Sequence, residues 1–409
     1  MKILFITDNF YPERNAPAKR TYEHAVEWLK LNHEVSVITG VPNFPKGKVF
    51  KGYKNKIFQY ENLDGINVYR VWTFIAANNG FFFRVFDYIS FMFTSFIAGF
   101  FVKKHDVVIA TSPQFFTAIS GYLISVFCRK PFILEIRDLW PESIVAVGAM
   151  SNQNIIIKFL HKVACLLYRK ADCIICVTHS FKKDLIKLNI NENKILVIEN
   201  GIKIENLISP NKTIDMIEKE YNLSKKDFII SFIGTVGMAH GLDIIIRAAK
   251  KINNEKIKFL IVGEGAEKEK LKLKVSSNNL DNVLILDSIS WQEIININQI
   301  ISANFIHLKK NEIFKKVIPS KIFESMAMKK TIILGVEGEA ENIINHSKCG
   351  LVIEPDNEDS LISAIDFLNN IKDLESMKAY GQNGYNYVIN NYNRVKLANK
   401  MINFIFEKK

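Results

Sequence analysis

Residues 318–324, with the sequence IPSKIFE, place a hydroxyl, an ammonium group and a carboxylate around one predicted helix N-terminus. Pro319 lies just before the helix, and Ser320 is a residue type that caps helices well. The amide N–H groups of a first helical turn attract anions, and Lys321 adds a positive charge beside them. Glu324, one turn further on, can accept hydrogen bonds from the two hydroxyls of a ribose. The stretch fits a nucleotide diphosphate, and an ordinary capped surface helix is the alternative.

The segments on either side of this helix favour the nucleotide. Residues 304–308 and 331–334 are short, mostly apolar runs of the kind found in buried strands. A helix between two parallel strands is the unit in which α/β proteins bind nucleotides, outside the carboxyl ends of the strands.

Two glycine-rich turns follow other predicted strands in the same half of the chain, and their backbone can approach a phosphate closely. The first turn contains Gly234, Thr235, Gly237 and His240, and the second contains Gly263 and Gly265. Neither turn has the spacing of a dinucleotide-binding fingerprint, and the turn after the first predicted strand has no glycine. An NAD or FAD enzyme is therefore disfavoured.

Length and charge narrow the class of protein. A chain of 409 residues exceeds one ordinary core and predicts two domains of roughly 200 residues each. Lys and Arg total 54 against 42 Asp and Glu, so the formal net charge is +12 and the surface attracts anions. Anionic lipid and sugar nucleotides fit this charge better than nucleic acid, because no RNA-binding or zinc-finger signature is present.

The cysteines indicate structural thiols in a reducing compartment. Cys173 and Cys176 have redox spacing, but they lie inside an apolar strand-like run, and no second pair completes a zinc site. An odd total of five cysteines and the absence of a leader before the first predicted strand predict a cytoplasmic protein.

Strand-like and helix-like stretches alternate along the chain, which predicts parallel sheets covered by helices. The fold class is therefore α/β, with doubly wound domains at 1–200 and 228–385, a polar linker at 201–227, and a final helix at 386–409 that packs back on the first domain. The predicted strands are 3–6, 34–38, 66–72, 107–111, 132–136, 173–177, 195–198, 228–233, 257–262, 283–286, 304–308, 331–334 and 351–353.

Together these segments resemble glycosyltransferase family 4, a GT-B group, and within it the WbuB and WcaI type that builds O-antigen and exopolysaccharide. The matching segments are residues 8–13 with 15–18, 110–113, 135–143, 199–201, 234–242, 262–265, and 319–324 leading to 338–340. The string RDLWPES at 137–143 and the PSK…E helix at 319–324 are the specific ones.

The resemblance implies two Rossmann-like domains that face a central cleft, with a nucleotide sugar in the C-terminal domain and the acceptor in the N-terminal one. It also implies a UDP-sugar donor, a saccharide acceptor on polyprenyl diphosphate, retention of configuration, and neither metal nor cofactor. The donor-binding residues implied are Gly234, Thr235, Gly237, His240, Gly263, Gly265, Ile289, Ser320, Lys321 and Glu324, and the acceptor-binding residues are Asn15, Ala16 and Ser112.

Two positions depart from the family pattern. Lys316 replaces the first carboxylate of a Glu-x7-Glu pair that ends at Glu324, and His240 lies in the turn where many relatives have an Arg and a Lys. Lys321 is then expected to neutralise the leaving diphosphate.

Candidate catalytic residues come from the first domain. Where many relatives have His-Asp, this chain has Arg137-Asp138, so Asp138 is expected to orient the acceptor hydroxyl and Arg137 to contact a phosphate. A buried Arg–Asp pair that only shapes the loop is the alternative. Glu13, after the first strand, is a further candidate.

Residues 85–102 are almost unbroken apolar, with Asp87 as the only charge. This run is shorter than the roughly 20 residues a membrane span needs, and a span would separate strands of one sheet. We expect a helix that inserts shallowly at a membrane surface, on the inner face of the plasma membrane, where it meets a lipid-linked acceptor.

Other functions fit part of the pattern. A GT-B UDP-sugar 2-epimerase would need neither the Phe-rich helix nor an acceptor loop, and a non-catalytic nucleotide-sugar-binding partner would tolerate the missing carboxylate. The resemblance suggests an N-acetylated hexose, such as N-acetyl-L-fucosamine, as the sugar transferred.

Overall fold

Two β-sheets organise the chain in the computed structural model, which describes residues 1–13, 15–45, 47–75, 81–102, 104–112, 115–141, 151, 153–206, 209–371 and 374–408. Each sheet belongs to its own unit. The first unit comprises Met1–Asn200 and Arg394–Lys409, and the second unit comprises Gly201–Asn393.

The sheet of the first unit has eight strands in the order β3-β4-β2-β1-β5-β6-β7-β8. All neighbours are parallel except β3, which is antiparallel to β4. The strands are β1 Lys2–Ile6, β2 Glu34–Thr39, β3 Phe58–Leu63, β4 Ile66–Val71, β5 Val107–Ser112, β6 Phe132–Ile136, β7 Cys173–Cys176 and β8 Ile195–Val197.

Helices cover this sheet, because strands buried on both faces are apolar throughout and need partners on each side. Asn15 caps the first helix through its side chain, and Pro17 in the first turn suits a helix start. The helices are α1 Ala16–Lys30, α2 Phe81–Gly99, α3 Phe115–Cys128, α4 Ile155–Lys170 and α5 His179–Lys187.

The second unit has a six-stranded, fully parallel sheet in the order β11-β10-β9-β12-β13-β14. Its strands are β9 Phe228–Ile233, β10 Ile257–Val262, β11 Val283–Leu286, β12 Ala303–His307, β13 Thr331–Gly335 and β14 Gly350–Val352. Its helices are α6 Ile214–Tyr221, α7 Asp243–Lys251, α8 Lys268–Ser277, α9 Trp291–Ile297, α10 Lys321–Ala327, α11 Glu339–Ser347, α12 Glu358–Asn369 and α13 Leu374–Asn391. The last helix, α14 Arg394–Lys408, lies in the first unit.

The boundaries of the units differ from the predicted ones. Residues 201–227 are part of the second unit and not a separate linker, since Ile217 of α6 and Ile202 are buried in its core. The return to the first unit occurs at Arg394 and not at residue 386. Arg394 donates hydrogen bonds to the backbone carbonyl of Asn200 and to the carboxylate of Glu23, so the chain is fixed to the first unit from that residue onward.

All the predicted strands occur, with bounds shifted by at most one residue. The additional strand β3 has exposed and half-buried residues in alternation and lies at the edge of the sheet. An edge strand of this kind lacks the apolar run that identifies the buried strands.

The apolar segment predicted to form a helix is α2. Its residues Phe91 and Ala98 are buried, whereas Phe86 and Phe93 are 63% and 57% exposed. Within the described part of the chain, no helix combines the length and apolarity needed to cross a membrane.

Candidate functional site

The carboxyl ends of β9 and β12 form a topological switch point in the second unit. From β9 the chain continues to β10 on one side, and from β12 it continues to β13 on the other. The turns after these two neighbouring strands therefore diverge and leave room for a ligand between them.

The two glycine-rich turns are hydrogen-bonded to each other. The amide of Gly234 donates to the Val262 carbonyl at 2.8 Å, and the amide of Val236 donates to the Glu264 carbonyl at 2.8 Å. A Cβ atom at Gly263 would overlap the carbonyl of Gly234, and Gly263 has a φ of +154°. Gly263 thus supports the turn after β9, and Gly265 does the same against Val236.

The turn after β9 keeps backbone donors available. The amides of Thr235 and Gly237 donate to no acceptor in the described ranges, and the side chain of Thr235 is exposed. A Cβ atom at Gly237 would meet only Thr235 Cγ2, at 3.7 Å. Amides without an acceptor are the kind of donor that an anion can use.

His240 and His307 link the turn to β12 as neutral rings. His307 Nδ1 lies 2.6 Å from the His240 carbonyl, and His240 Nδ1 lies 3.1 Å from the His307 carbonyl. His307 Nε2 accepts from the Asp356 amide at 3.0 Å. Burial, with the Lys321 charge, lowers the pKa of His240 to about 3. His240 thus connects the turn to β12 as an uncharged ring, and Lys321 is the neighbouring group that can carry a positive charge.

Lys321, the first residue of α10, reaches under the turn. Its Nζ lies 3.6 Å from the centre of the Phe232 ring, and a Cβ atom at Gly234 would overlap its Cε. The Nζ is buried and has no hydrogen-bond partner among the described residues. Burial lowers the pKa of Lys321 to about 7, against the opposing effect of Glu324.

A cavity of about 30 Å³ lies beside Lys321. Glu324 lines it one turn along α10. Three buried polar side chains connect β9, β12 and α10 along its wall: Ser231 donates to Asn304 at 2.6 Å, and Asn304 donates to Ser325 at 2.8 Å. This chain of hydrogen bonds fixes α10 against the sheet and so positions Lys321 and Glu324.

The predicted helix cap at Ser320 does not form. Ser320 already has helical backbone angles, φ −59° and ψ −23°, and its side chain makes no capping hydrogen bond. The amides of Ile322 and Phe323 donate to the carbonyls of Pro319 and Ser320, at 3.1 Å each. The end of this seven-residue helix therefore lacks the side-chain cap that the sequence predicted. Ile289, in the turn after β11, packs partly buried against the apolar core.

The predicted acceptor residues lie near the switch point of the first unit, between β1 and β5. Asn15 Oδ1 accepts from the Ala18 amide at 2.9 Å, Ala16 is the first residue of α1, and Ser112 is the last residue of β5. Glu13 is buried, and its Oε1 accepts from the amides of Asn43 and Phe44 at 2.8 Å each. Glu13 therefore holds a turn in place.

Arg137 and Asp138 follow β6 and form no ion pair with each other in the part of the chain described. The Arg137 amide donates to the Ser112 carbonyl at 3.1 Å, its Nη2 donates to Asn200 Oδ1 at 3.3 Å, and its Nη1 has no partner there. The buried ion pair nearby joins Arg20 and Glu135 at 2.9 Å. Burial raises the pKa of Asp138 to about 6, against the opposing charge of Arg137.

Two acidic residues of the first unit interact with each other, and the sequence did not predict them as site residues. Asp8 follows β1 and Asp87 lies on α2, and burial together with their mutual repulsion raises the pKa of Asp8 well above its usual value. Burial raises the pKa of Asp87 to about 7. Asp87 stands out in the sequence as the only charge of an apolar run, but nothing local indicates that it meets Asp8. The described residues contain no group of three or more His, Cys, Asp or Glu able to hold a metal ion.

Comparison with protein families accounts for both units. The model described as Glycosyltransferase Family 4 matches residues 18–206, and the model described as Glycosyl transferases group 1 matches residues 213–387. The chain belongs to the glycosyltransferases.

Curated relatives of this glycosyltransferase cover most of its length. A putative colanic acid biosynthesis glycosyl transferase, WcaI of Escherichia coli K12, is 23% identical over 89% of the chain and 91% of the relative. The Escherichia coli UDP-Gal:alpha-D-GlcNAc-diphosphoundecaprenol alpha-1,3-galactosyltransferase is 28% identical over 73% of the chain and 74% of the relative.

The solved structure of Anabaena HepE in complex with UDP-glucose matches the transferase with a TM-score of 0.73 and 15% identity, over 100% of both chains. The transferase has the GT-B fold, with two parallel-sheet α/β domains, which confirms the predicted fold class.

Proposed function

We propose that this glycosyltransferase moves a sugar from a UDP-sugar to a saccharide carried on polyprenyl diphosphate, with retention of configuration and without a metal. The observation that carries the proposal is Lys321, a buried amine without a hydrogen-bond partner in the described chain, against Gly234 of the turn in which the amides of Thr235 and Gly237 are open. This set suits the diphosphate of a donor. The relative whose name specifies UDP-Gal and a diphosphoundecaprenol acceptor supports this choice of substrates.

The chemistry requires charge stabilisation on both sides of the bond that breaks. Cleavage between the anomeric carbon and the phosphate oxygen leaves positive charge on the sugar ring and negative charge on UDP. Lys321 in its protonated form and the two amides would stabilise the leaving diphosphate. Glu324 would accept hydrogen bonds from the ribose, and the departing phosphate oxygen would take the proton of the attacking hydroxyl.

The first unit would bind the acceptor. Asp138 would orient the attacking hydroxyl and Arg137 would bind a phosphate, with Asn15, Ala16 and Ser112 shaping the site near the end of β5. Glu13 would act through the turn that it holds. The resemblance to transferases of O-antigen, capsule and exopolysaccharide synthesis favours an N-acetylated hexose, such as N-acetyl-L-fucosamine, as the transferred sugar.

A lipid-linked acceptor implies work at a membrane surface, as a peripheral protein on the inner face of the plasma membrane. The aromatic patch of Phe93, Phe96, Phe100 and Phe127 supports this. The rings of Phe96, Phe100 and Phe127 lie 5.2–5.9 Å apart across α2 and α3. Phe93, Phe100 and Phe127 are each more than half exposed, which suits shallow insertion.

The test is a panel of UDP-sugars assayed with and without a polyprenyl-diphosphate-linked saccharide. UDP release that depends on the acceptor supports the proposal, and interconversion of UDP-sugars without acceptor would support the epimerase instead. Tight binding without turnover would indicate a non-catalytic partner. Activity that is lost with EDTA and restored by Mn²⁺ would overturn the metal-independent mechanism.

A further inference from the structure

Lys321 lies in surroundings that disfavour its charged form. No carboxylate lies within ion-pair distance of its Nζ in the described chain, and the Nζ lies over the uncharged ring of Phe232. Glu324 on the same helix attracts the charge from further away, and His240 in the turn after β9 is the other titratable group that faces it. The residues of β9, β12 and α9 that line the adjacent cavity are uncharged.

A buried amine without an anionic partner releases its proton more readily than an exposed one, because burial penalises the charged form. The approach of an anion reverses this preference, since it supplies the missing partner. An arginine in the same place would remain charged in both situations.

We propose that, above neutral pH, Lys321 is uncharged in the free enzyme and takes up one proton when the diphosphate of the nucleotide binds beside the turn after β9. The proton comes from solvent, and no bond other than N–H forms. This inference rests on the proposed function, because the anion that triggers the uptake is the donor diphosphate. Its consequence is that donor binding weakens as the pH rises above neutrality.

The experiment is calorimetric titration with UDP at pH 8 in two buffers of different ionisation enthalpy. At this pH UDP carries its full negative charge, because a second phosphate pKa is about 6, so UDP itself exchanges no proton. We expect close to one proton taken up per UDP bound. We also expect the affinity for UDP to fall close to tenfold between pH 7.5 and pH 8.5. A fall of this size per pH unit is expected between the pKa of Lys321 in the free enzyme and its higher pKa in the UDP complex.

Substitutions at Lys321 test whether this side chain is the group that takes up the proton. Lys321→Arg should bind UDP without proton uptake and without the pH dependence, and Lys321→Met should bind more weakly and also without uptake. Lys330→Arg is the matched control, because Lys330 is another lysine near α10 whose pKa is lowered by burial, and its Nζ donates to the Ile301 carbonyl at 2.8 Å. This variant should keep the uptake.

UDP binding by the unaltered enzyme with no net proton uptake would overturn the inference and leave the proposed function standing. Uptake that persists in Lys321→Arg would assign the proton to another group and overturn it as well. A protein that binds no UDP at all would overturn the proposed function, and this inference with it.

Discussion

Three lysines of this chain differ in whether the fold supplies a hydrogen-bond acceptor to the side-chain amine. Lys194 and Lys330 are also lysines whose pKa is lowered by burial, yet both donate to backbone carbonyls, Lys194 to those of Tyr168 and Ala171 at 2.8 and 2.9 Å. Lys321 has no such acceptor in the described chain. The fold supplies acceptors to the first two lysines, and the third is the one that we propose for the donor diphosphate.

Glu324 provides a prediction for the ribose. Glu324→Ala should weaken UDP binding by about 1–3 kcal/mol, because the ribose hydroxyls would lose a charged acceptor. Calorimetry measures the change. Glu312→Ala is the control, since the Glu312 side chain is 84% exposed and pairs only with Lys315 among the salt bridges found in the described residues. Equal affinity in both variants would remove Glu324 from the site.

His24 provides a prediction for acid stability. It is buried on α1 with no partner for its Nε2 among the described residues, and burial with the charges of Arg20 and Arg394 lowers its pKa well below the usual value. The unfolded chain protonates this ring near pH 6.5 and the folded chain does not, so stability is lost as the pH falls below that value. The loss grows by about 1.4 kcal/mol for each pH unit below 6.5 over which the folded ring stays uncharged.

His24→Phe should therefore reduce the difference in unfolding free energy between pH 7 and pH 5, measured by urea unfolding at both values. His179→Phe is the control, since the His179 side chain is 65% exposed. If His24→Phe leaves the acid-induced loss of stability unchanged, another group carries it.

At the scale of elements, the two glycine turns of the second unit have different structural roles. Gly263 allows the turns to hydrogen-bond, whereas Gly237 lies in the turn with open amides. Both glycines belong to the predicted donor site, but only the structure separates their roles.

Replacement by alanine should show this division. Gly263→Ala should lower the melting temperature by several degrees, because its Cβ would overlap the Gly234 carbonyl and Ala disfavours a φ of +154°. Gly237 has a φ of −113° and space for a methyl group, so Gly237→Ala should have the melting temperature of the unaltered protein. The variant should bind UDP more weakly if the diphosphate contacts this backbone. The two measurements are thermal unfolding and UDP calorimetry. Normal stability of Gly263→Ala would contradict the supporting role.

At the scale of the whole molecule, net charge and exposed aromatic surface point to the same partner. The chain has a formal net charge of +12, and the aromatic patch presents more apolar surface than single scattered side chains would. An anionic lipid surface satisfies both features.

The aromatic patch therefore predicts binding to vesicles. The protein should sediment with anionic liposomes at low salt, and the triple variant Phe93→Ser, Phe100→Ser, Phe127→Ser should sediment several-fold less. A control triple variant at Ile57, Leu273 and Phe406, also changed to Ser, removes apolar side chains elsewhere that are even more exposed. Failure of the unaltered protein to sediment, or an equal loss in both variants, would reject the patch as a membrane-binding surface.

Much of the fold was predictable because buried parallel strands and their covering helices leave local patterns. Apolar runs bounded by turns predicted every buried strand, and the PSK…E and RDLWPES strings predicted the family. These features depend on neighbours in the sequence, so they can be read without knowing which elements meet. The edge strand β3 lacked such a pattern.

Only the tertiary structure decided which side chains meet. The Arg20–Glu135 pair joins residues 115 positions apart, and Asp8 and Asp87 interact across two elements. Ser320 had the right residue type for a cap but the wrong backbone angles, and only the tertiary structure shows that Gly263 packs against the carbonyl of Gly234. Contacts of this kind depend on the order of strands in each sheet, which local periodicity does not encode.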